Sequence, residues 1–160
     1  MSDEPQTPPV GAPAPAFRLP ATGGRTIGLD DFIGKQHVVL YFYPRDDTSG
    51  CTREACGFRD LEGQFAAAGA AILGVSADDV ASHERFAGKY NLPFPLLADV
   101  DHAVCERYGV WKLRRQGDRE WMGIERTTFL IDKQGVLRKV YPKVNVEGHV
   151  DAVLEDIRAL

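Results

Sequence analysis

Cys51 and Cys56 follow the most hydrophobic run in the chain, Val38-Val39-Leu40-Tyr41-Phe42-Tyr43, across the polar segment Pro44-Arg45-Asp46-Asp47-Thr48-Ser49-Gly50. A thiol reacts as its thiolate, whether as nucleophile or as metal ligand. Two thiols five residues apart can therefore do redox chemistry if the first is held as an anion and the second can reach it. Thr48 or Ser49 can cap a helix at this point, which places Cys51 in its first turn. Unpaired N–H groups and the positive end of the helix dipole favour an anion there. Arg45, Arg53 and Arg126 could add positive charge. Arg126 is the favoured one, because it opens a strand expected to run beside the strand that leads to Cys51.

The elements that must position these residues are legible from periodicity. Residues 37–43 form an apolar run that ends at Pro44, the pattern of a strand covered on both faces. Ala55, Phe58, Leu61 and Phe65 recur at helical spacing, and Gly69 closes that helix. Ala71–Val75 is a second buried strand. Asp78-Asp79 precede a helix carrying Val80, Phe86, Ala87 and Tyr90, which Asn91-Leu92-Pro93-Phe94-Pro95 breaks. Residues 96–98 suit a short strand and residues 102–108 a short helix. The polar stretch Lys112 to Glu120 reads as a surface loop, with Trp111 and Trp121 beside it. Residues 127–132 and 136–141 are strand-like, and Lys133-Gln134-Gly135 suits an antiparallel connection. Val150, Val153, Leu154, Ile157 and Leu160 mark one face of a last helix. Near the start, Thr22-Gly23-Gly24-Arg25-Thr26 is a turn between two short strands.

A right-handed crossover makes the first two core strands parallel, and the hairpin makes the last two antiparallel. The predicted class is α/β. It has the layout of the thioredoxin-like fold: a central mixed β-sheet flanked by helices, with a short N-terminal β-hairpin. The active site of that fold lies where Cys51 falls.

At 160 residues, with 44% apolar and 26% charged residues, the chain suits one globular domain with one core. Met1 to Ala14 is Pro- and Ala-rich and reads as a flexible N-terminal arm, leaving residues 15–160 as the domain. A net charge of −4 without basic clusters argues against nucleic acid as a partner. No apolar stretch approaches the roughly 18 residues that cross a membrane. Three cysteines without an export signal point to a reducing, cytoplasmic setting. His37, His83, His102 and His149 are dispersed and share no ligand spacing with the cysteines, so neither a metal nor another cofactor is expected. Asp46-Asp47 reads as a solvated turn, and Cys105 as a packing residue.

Pro44-x-x-x-Thr48-x-x-Cys51 resembles the active-site motif of the peroxiredoxins. The longer run from Phe42 through Cys56 is similar to their bacterioferritin comigratory protein, or PrxQ, branch. The similarity extends to Ala14-Pro15-Ala16-Phe17, Tyr108-Gly109-Val110-Trp111, Arg126-Thr127-Thr128-Phe129-Leu130-Ile131-Asp132 and Gly148-His149. It implies a thiol-dependent peroxidase acting on hydrogen peroxide and organic hydroperoxides. Cys51 would attack the peroxide and become a sulfenic acid. Thr48, Arg126 and the Cys51 N–H would hold the peroxide oxygens, Pro44 would shield the sulfur, and Glu54 would orient an arginine. Cys56 would be the resolving thiol, giving a Cys51–Cys56 disulfide that thioredoxin or a similar dithiol reduces. Both thiols lie in one chain, so a monomer suffices, with a weak dimer left open.

Two alternatives share the same first residues. A dithiol-disulfide oxidoreductase is disfavoured by the C-x-x-x-x-C spacing and by Glu125-Arg126-Thr127, which lacks the proline such enzymes carry facing the disulfide. A non-enzymatic peroxide sensor would undergo the same initial oxidation. The spacing also sets a geometric condition. Five residues along an ideal helix separate the Cα atoms by about 8.6 Å, whereas a disulfide needs them within roughly 7 Å. The helix expected over 51–56 must therefore unwind for the two to bond.

Overall fold

The computed structural model describes residues 5–160. Gly23 and Gly24 take positive φ, 81° and 68°, and reverse the chain between β1 (Arg18–Ala21) and β2 (Arg25–Gly28). The apolar run forms β3 (His37–Phe42), and α1 (Ser49–Ala67) follows it after the short polar loop. Gly69, at φ 78°, turns the chain from α1 into β4 (Ala70–Ser76). Next come α2 (Val80–Tyr90), β5 (Leu96–Ala98) and α3 (Ala103–Arg107). Asn91 ends α2 in the left-handed conformation expected of a helix C-terminus. The chain continues through β6 (Trp111–Gln116), β7 (Arg119–Ile124), β8 (Thr127–Ile131), β9 (Leu137–Tyr141) and α4 (His149–Arg158).

Seven strands form one mixed sheet in the order β2-β1-β5-β4-β3-β8-β9. β3, β4 and β5 are mutually parallel, and β8 lies antiparallel to both β3 and β9. This is the expected α/β layout, with the N-terminal hairpin joined to the sheet through β1 and β5. Successive residues of β3 point to opposite faces. Val38, Leu40 and Phe42 enter one core with Leu73, Val104, Tyr108 and Phe129, while Val39 and Tyr41 enter another with Phe58, Phe65, Val153 and Ile157. The helices α1 and α4 cover this second face, and α3 covers the first.

The structure departs from the sequence reading at Lys112–Glu120. In place of a surface loop, β6 and β7 pair as a separate two-stranded antiparallel sheet, with Leu113 opposite Met122 and Arg114 opposite Trp121. Gly117, at φ 61°, and Asp118 make the tight turn. One face carries Trp111, Leu113, Met122 and Ile124, but the alternation spans only two apolar residues per strand, and Leu113 and Met122 stay exposed, so the pattern of a half-buried strand is weak. Residues 11–14, within the segment expected to be an arm, bond to the β8–β9 turn: Gly11 N–H donates to Leu137 O, Ala14 N–H to Gly135 O, and Leu137 N–H to Ala12 O.

Gly74 in β4 lies against the core aromatic Tyr41. A Cβ at this position would fall 2.8 Å from Leu96 Cδ2 and 2.9 Å from the Tyr41 ring and hydroxyl. Neither neighbour can withdraw from so dense a core without leaving its rotamer. Gly74→Ala is expected to destabilise the protein by about 1–3 kcal/mol, measured as a lower urea midpoint. An unchanged midpoint would contradict this packing.

Candidate active site

β3 delivers the chain to the site and α1 opens it. Thr48 takes the N-cap position with extended backbone, φ −95° and ψ 158°, and its carbonyl accepts the first helical bond from Thr52 N–H. The N–H groups of Ser49, Gly50 and Cys51 therefore have no acceptor within the helix. Thr48 departs from expectation in one respect: its side chain does not cap α1. Its hydroxyl donates instead to the carbonyl of Arg45, at 3.0 Å, leaving its lone pairs available as acceptors.

Cys51 Sγ is buried in the first turn, with the Cys51 residue 1% exposed. The register of β8 on β3 pairs Thr127 with Phe42, which brings Arg126 to the mouth of the same loop. Arg126 Nη2 donates to Cys51 Sγ at 3.2 Å, and Nη1 donates to Glu54 Oε1 at 2.7 Å. Glu54 lies three residues after Cys51, on the same helix face. Gly50 makes room for the cation, because a Cβ there would come within 3.1 Å of Arg126 Nη2. Of the three arginines named from the sequence, Arg126 is the one with a hydrogen bond to Cys51.

Burial pushes the Glu54 carboxyl up to about 7, against the opposing pull of Arg126. Burial works to lower the Arg126 value, yet the Glu54 and Cys51 charges outweigh it and the guanidinium is held more firmly protonated. Behind this pair, His149 Nε2 lies 3.9 Å from Glu54 Oε2 and 2.9 Å from Thr128 Oγ1. Burial, aided by Arg126, lowers the His149 value to about 4, so it is neutral at pH 7.

Pro44 and Thr48 are exposed on the rim. A groove of about 470 Å³, lined by Pro44, Arg126 and Val144 among others, gives access to the guanidinium. A larger one, about 720 Å³, runs from Pro44 and Thr48 to Trp111 and Trp121 on the β6–β7 hairpin. The Trp111 ring stacks on His102, with centroids 4.1 Å apart.

Cys56 is half-buried further along α1, and Cys51, Cys56 and Cys105 are all free thiols. The chain is helical without interruption from 51 to 56. Cys105 lies in the core on the opposite face of the sheet from Cys51. Burial, and then the Asp99 charge, drive its thiol well above the usual range, which suits packing rather than reactivity.

Asp46 overturns the reading of Asp46-Asp47 as a solvated turn. Only Asp47 is exposed, and the Asp46 carboxylate is buried against Tyr43, Ser82 and His83. Neither Asp46 nor His83 carried a sequence signal, since they are 37 residues apart and meet only in the fold. Among the described residues no cluster of His, Cys, Asp and Glu could hold a metal ion, and no helix is long and apolar enough to cross a membrane.

The sequence profile of the AhpC/TSA family matches residues 10–140. The chain is 54% identical to a putative peroxiredoxin bcp of Coxiella burnetii over 145 residues, covering 91% of this chain and 95% of that protein. It is 48% identical to the Peroxiredoxin Bcp of Bacillus subtilis, covering 93% and 94%. Among solved structures, a Xanthomonas campestris bacterioferritin comigratory protein is similar with a TM-score of 0.85 and 41% identity, over 89% of this chain and 90% of that one. That protein's trapped intermediate/ligand complexes concern its alkyl peroxide reduction activity.

Ionised Glu54 is disfavoured in the folded protein. Its contribution to stability is full below the ordinary carboxyl value of 4.5 and is lost as pH rises through about 7. The Glu54→Gln variant lacks this loss. Between pH 5 and pH 8 its unfolding free energy is expected to fall less than that of the parent, by up to about 3 kcal/mol, in urea titrations at both values. His149 contributes in the opposite direction, as pH falls towards 4, and is common to both proteins. Identical pH dependence in the two proteins would contradict the assignment.

Proposed function

The chain belongs to the AhpC/TSA family, in its Bcp/PrxQ branch of peroxiredoxins, and on that premise we propose that it is a thiol-dependent peroxidase whose attacking group is Cys51. The observation that carries the assignment is the Arg126 guanidinium bonded at once to Cys51 Sγ and Glu54 Oε1. The thiolate attacks one peroxide oxygen, the O–O bond breaks, and Cys51 becomes a sulfenic acid while the other oxygen departs and is protonated. Charge builds on that oxygen in the transition state. Arg126 and the unpaired N–H of Cys51 are donors in place to stabilise it, the type of differential binding that lowers a barrier. Thr48 Oγ1, with its hydrogen engaged by Arg45 O, acts as an acceptor for the peroxide O–H. Pro44 stands at the rim, shielding the sulfur.

Cys56 then attacks the sulfenic sulfur, expelling water and forming the Cys51–Cys56 disulfide. A dithiol such as thioredoxin returns both thiols by exchange. The Xanthomonas campestris relative's alkyl peroxide activity supports organic hydroperoxides as substrates beside hydrogen peroxide. Both thiols on one helix make a monomer a sufficient catalytic unit, and recycling by a dithiol such as thioredoxin suits a reducing compartment such as the cytoplasm.

Residues 51–56 are one continuous helical segment, so resolution requires the first turns of α1 to unwind. Amide exchange is expected to show protection from Thr52, the first amide bonded within the helix, through Cys56 in the reduced protein and its loss after one equivalent of peroxide. Equal protection in both forms would defeat the scheme. Mass spectrometry of the oxidised protein should find a 51–56 bridge.

Substitutions separate the roles. Cys51→Ser should abolish peroxide consumption, and Cys56→Ser should permit a single oxidation without turnover by thioredoxin. Arg126→Ala should slow the peroxide step by about 10²–10³-fold. A single stoichiometric oxidation of the parent protein, with no turnover by thioredoxin and its reductase, would instead mark a peroxide sensor.

A further inference from the structure

The loop between β3 and α1 carries Pro44 and Thr48, and both are exposed. Their own packing therefore does not fix their positions. What holds the loop is Asp46, the one loop residue between them that is buried. Its backbone N–H donates to Asp78 Oδ2 at 2.8 Å, and Ser76 Oγ donates to the same oxygen at 2.6 Å. Its carboxylate receives Tyr43 O–H at 2.6 Å on Oδ1 and Ser82 O–H at 2.8 Å on Oδ2. His83 Nδ1 stands 2.7 Å from the same Oδ2.

The other ring nitrogen settles the proton count. His83 Nε2 lies 2.9 Å from the backbone carbonyl of Leu97 in β5. A carbonyl only accepts, so Nε2 carries a hydrogen. A bare Nδ1 would then oppose a carboxylate lone pair at 2.7 Å, which is untenable in a site where the His83 and Asp46 side chains are 0% and 4% exposed. Both ring nitrogens therefore face acceptors and both need a proton. The Tyr43 and Ser82 hydroxyls, one on each carboxylate oxygen, favour the anionic form of Asp46, which assigns the second proton to His83 and makes the ring a cation.

Taking Cys51 as the attacking thiol, we propose that His83 is a positioning residue for the peroxide step: as an imidazolium tied to β5, it holds Asp46 and thereby sets the loop that presents Thr48 and Pro44 to the peroxide. The connection to Thr48 is short. Arg45, the residue before Asp46, supplies the carbonyl that accepts the Thr48 hydroxyl. Shifting Asp46 shifts that carbonyl, and with it the direction of the Thr48 lone pairs. The platform itself is rigid, since Asp79 caps α2 through Ser82 N–H at 2.8 Å and so fixes the turn that bears His83. On the far side of the loop, Asp47 at φ 57° bonds Lys89 Nζ and Tyr90 O–H, also on α2. Those contacts are exposed and contribute little by comparison.

The test uses two amides that each mimic one ring nitrogen. In H83N the amide nitrogen can take the place of Nδ1 and keep the bond to Asp46. In H83Q it takes the place of Nε2, keeping the bond to Leu97 and losing the one to Asp46. The second-order rate of peroxide consumption by reduced H83Q is expected to fall about 10–100-fold, the scale of a small misplacement. Alkylation of Cys51 by iodoacetamide should be unchanged, and H83N should recover much of the lost rate. Equal losses in the two variants, or a parental rate in H83Q, would overturn the proposal.

If neither variant folds, nitrogen-15 NMR of the parent protein decides. Two protonated ring nitrogens on His83 at pH 7 support the assignment, and a bare Nδ1 overturns it. A parent protein whose Cys51 stays reduced under peroxide would instead overturn the peroxidase reading, leaving the NMR result for His83 to stand.

Discussion

A half-buried guanidinium must have its charge answered, and Arg126 answers it twice, with the sulfur of Cys51 and the carboxyl of Glu54. Both partners come from one face of α1, three residues apart, while the arginine comes from the start of β8, 75 residues further along the chain than Cys51. The bridge therefore exists only if β8 lies beside β3 in the observed register. A slip of one residue would turn Arg126 towards the opposite face of the sheet. The hydrophobic completeness of β3, buried on both faces, is what holds that register, so the core and the chemistry depend on the same strand pairing.

The first turn of α1 faces two requirements that conflict. As a helix it aligns unpaired N–H groups on Cys51 and keeps Glu54 beneath Arg126. As a helix it also keeps Cys56 too far from Cys51 to bond. The loop ahead of it is anchored differently, through Asp46 to α2 and β5, by contacts that do not pass through α1. A turn can unwind while the residues before it stay in place when the two are held by separate sets of bonds. Gly50 serves here as space for the guanidinium, and Gly57 lies against Val150 of α4, where a Cβ would approach its side chain to 3.0 Å. These contacts give both glycines a packing reason beyond conformational freedom.

Much of the fold was legible because its signals are local. The apolar run of β3, the three-and-four spacing in α1 and the glycine turns each declare themselves within a few residues. The β6–β7 hairpin did not, because its apolar face has only two residues per strand, Trp111 and Leu113 against Ile124 and Met122, amid charged neighbours, and the Gly117-Asp118 turn alone is a weak mark. Thr48 was placed correctly at the N-cap, yet its hydroxyl chose Arg45 O over the helix, a choice between two nearby acceptors that spacing does not resolve. Asp46 next to Asp47 looked like a solvated pair. The two differ because the left-handed backbone at Asp47 sends one carboxylate outward to Lys89 and Tyr90 while its neighbour points into the core.

By itself the sequence determined where a reactive thiol could stand, which helix would carry it and a second cysteine, and that five helical residues hold the two apart. Those statements follow from short-range geometry, which travels with the chain. Only the tertiary structure decided that Arg126 bridges the sulfur and Glu54 at once, that Glu54 is buried beneath it, and that His83 reaches across to Asp46. Each of these is a contact between residues far apart in sequence. Its existence rests on strand register and helix placement, and a buried charge is tolerated only where the whole fold supplies its partner.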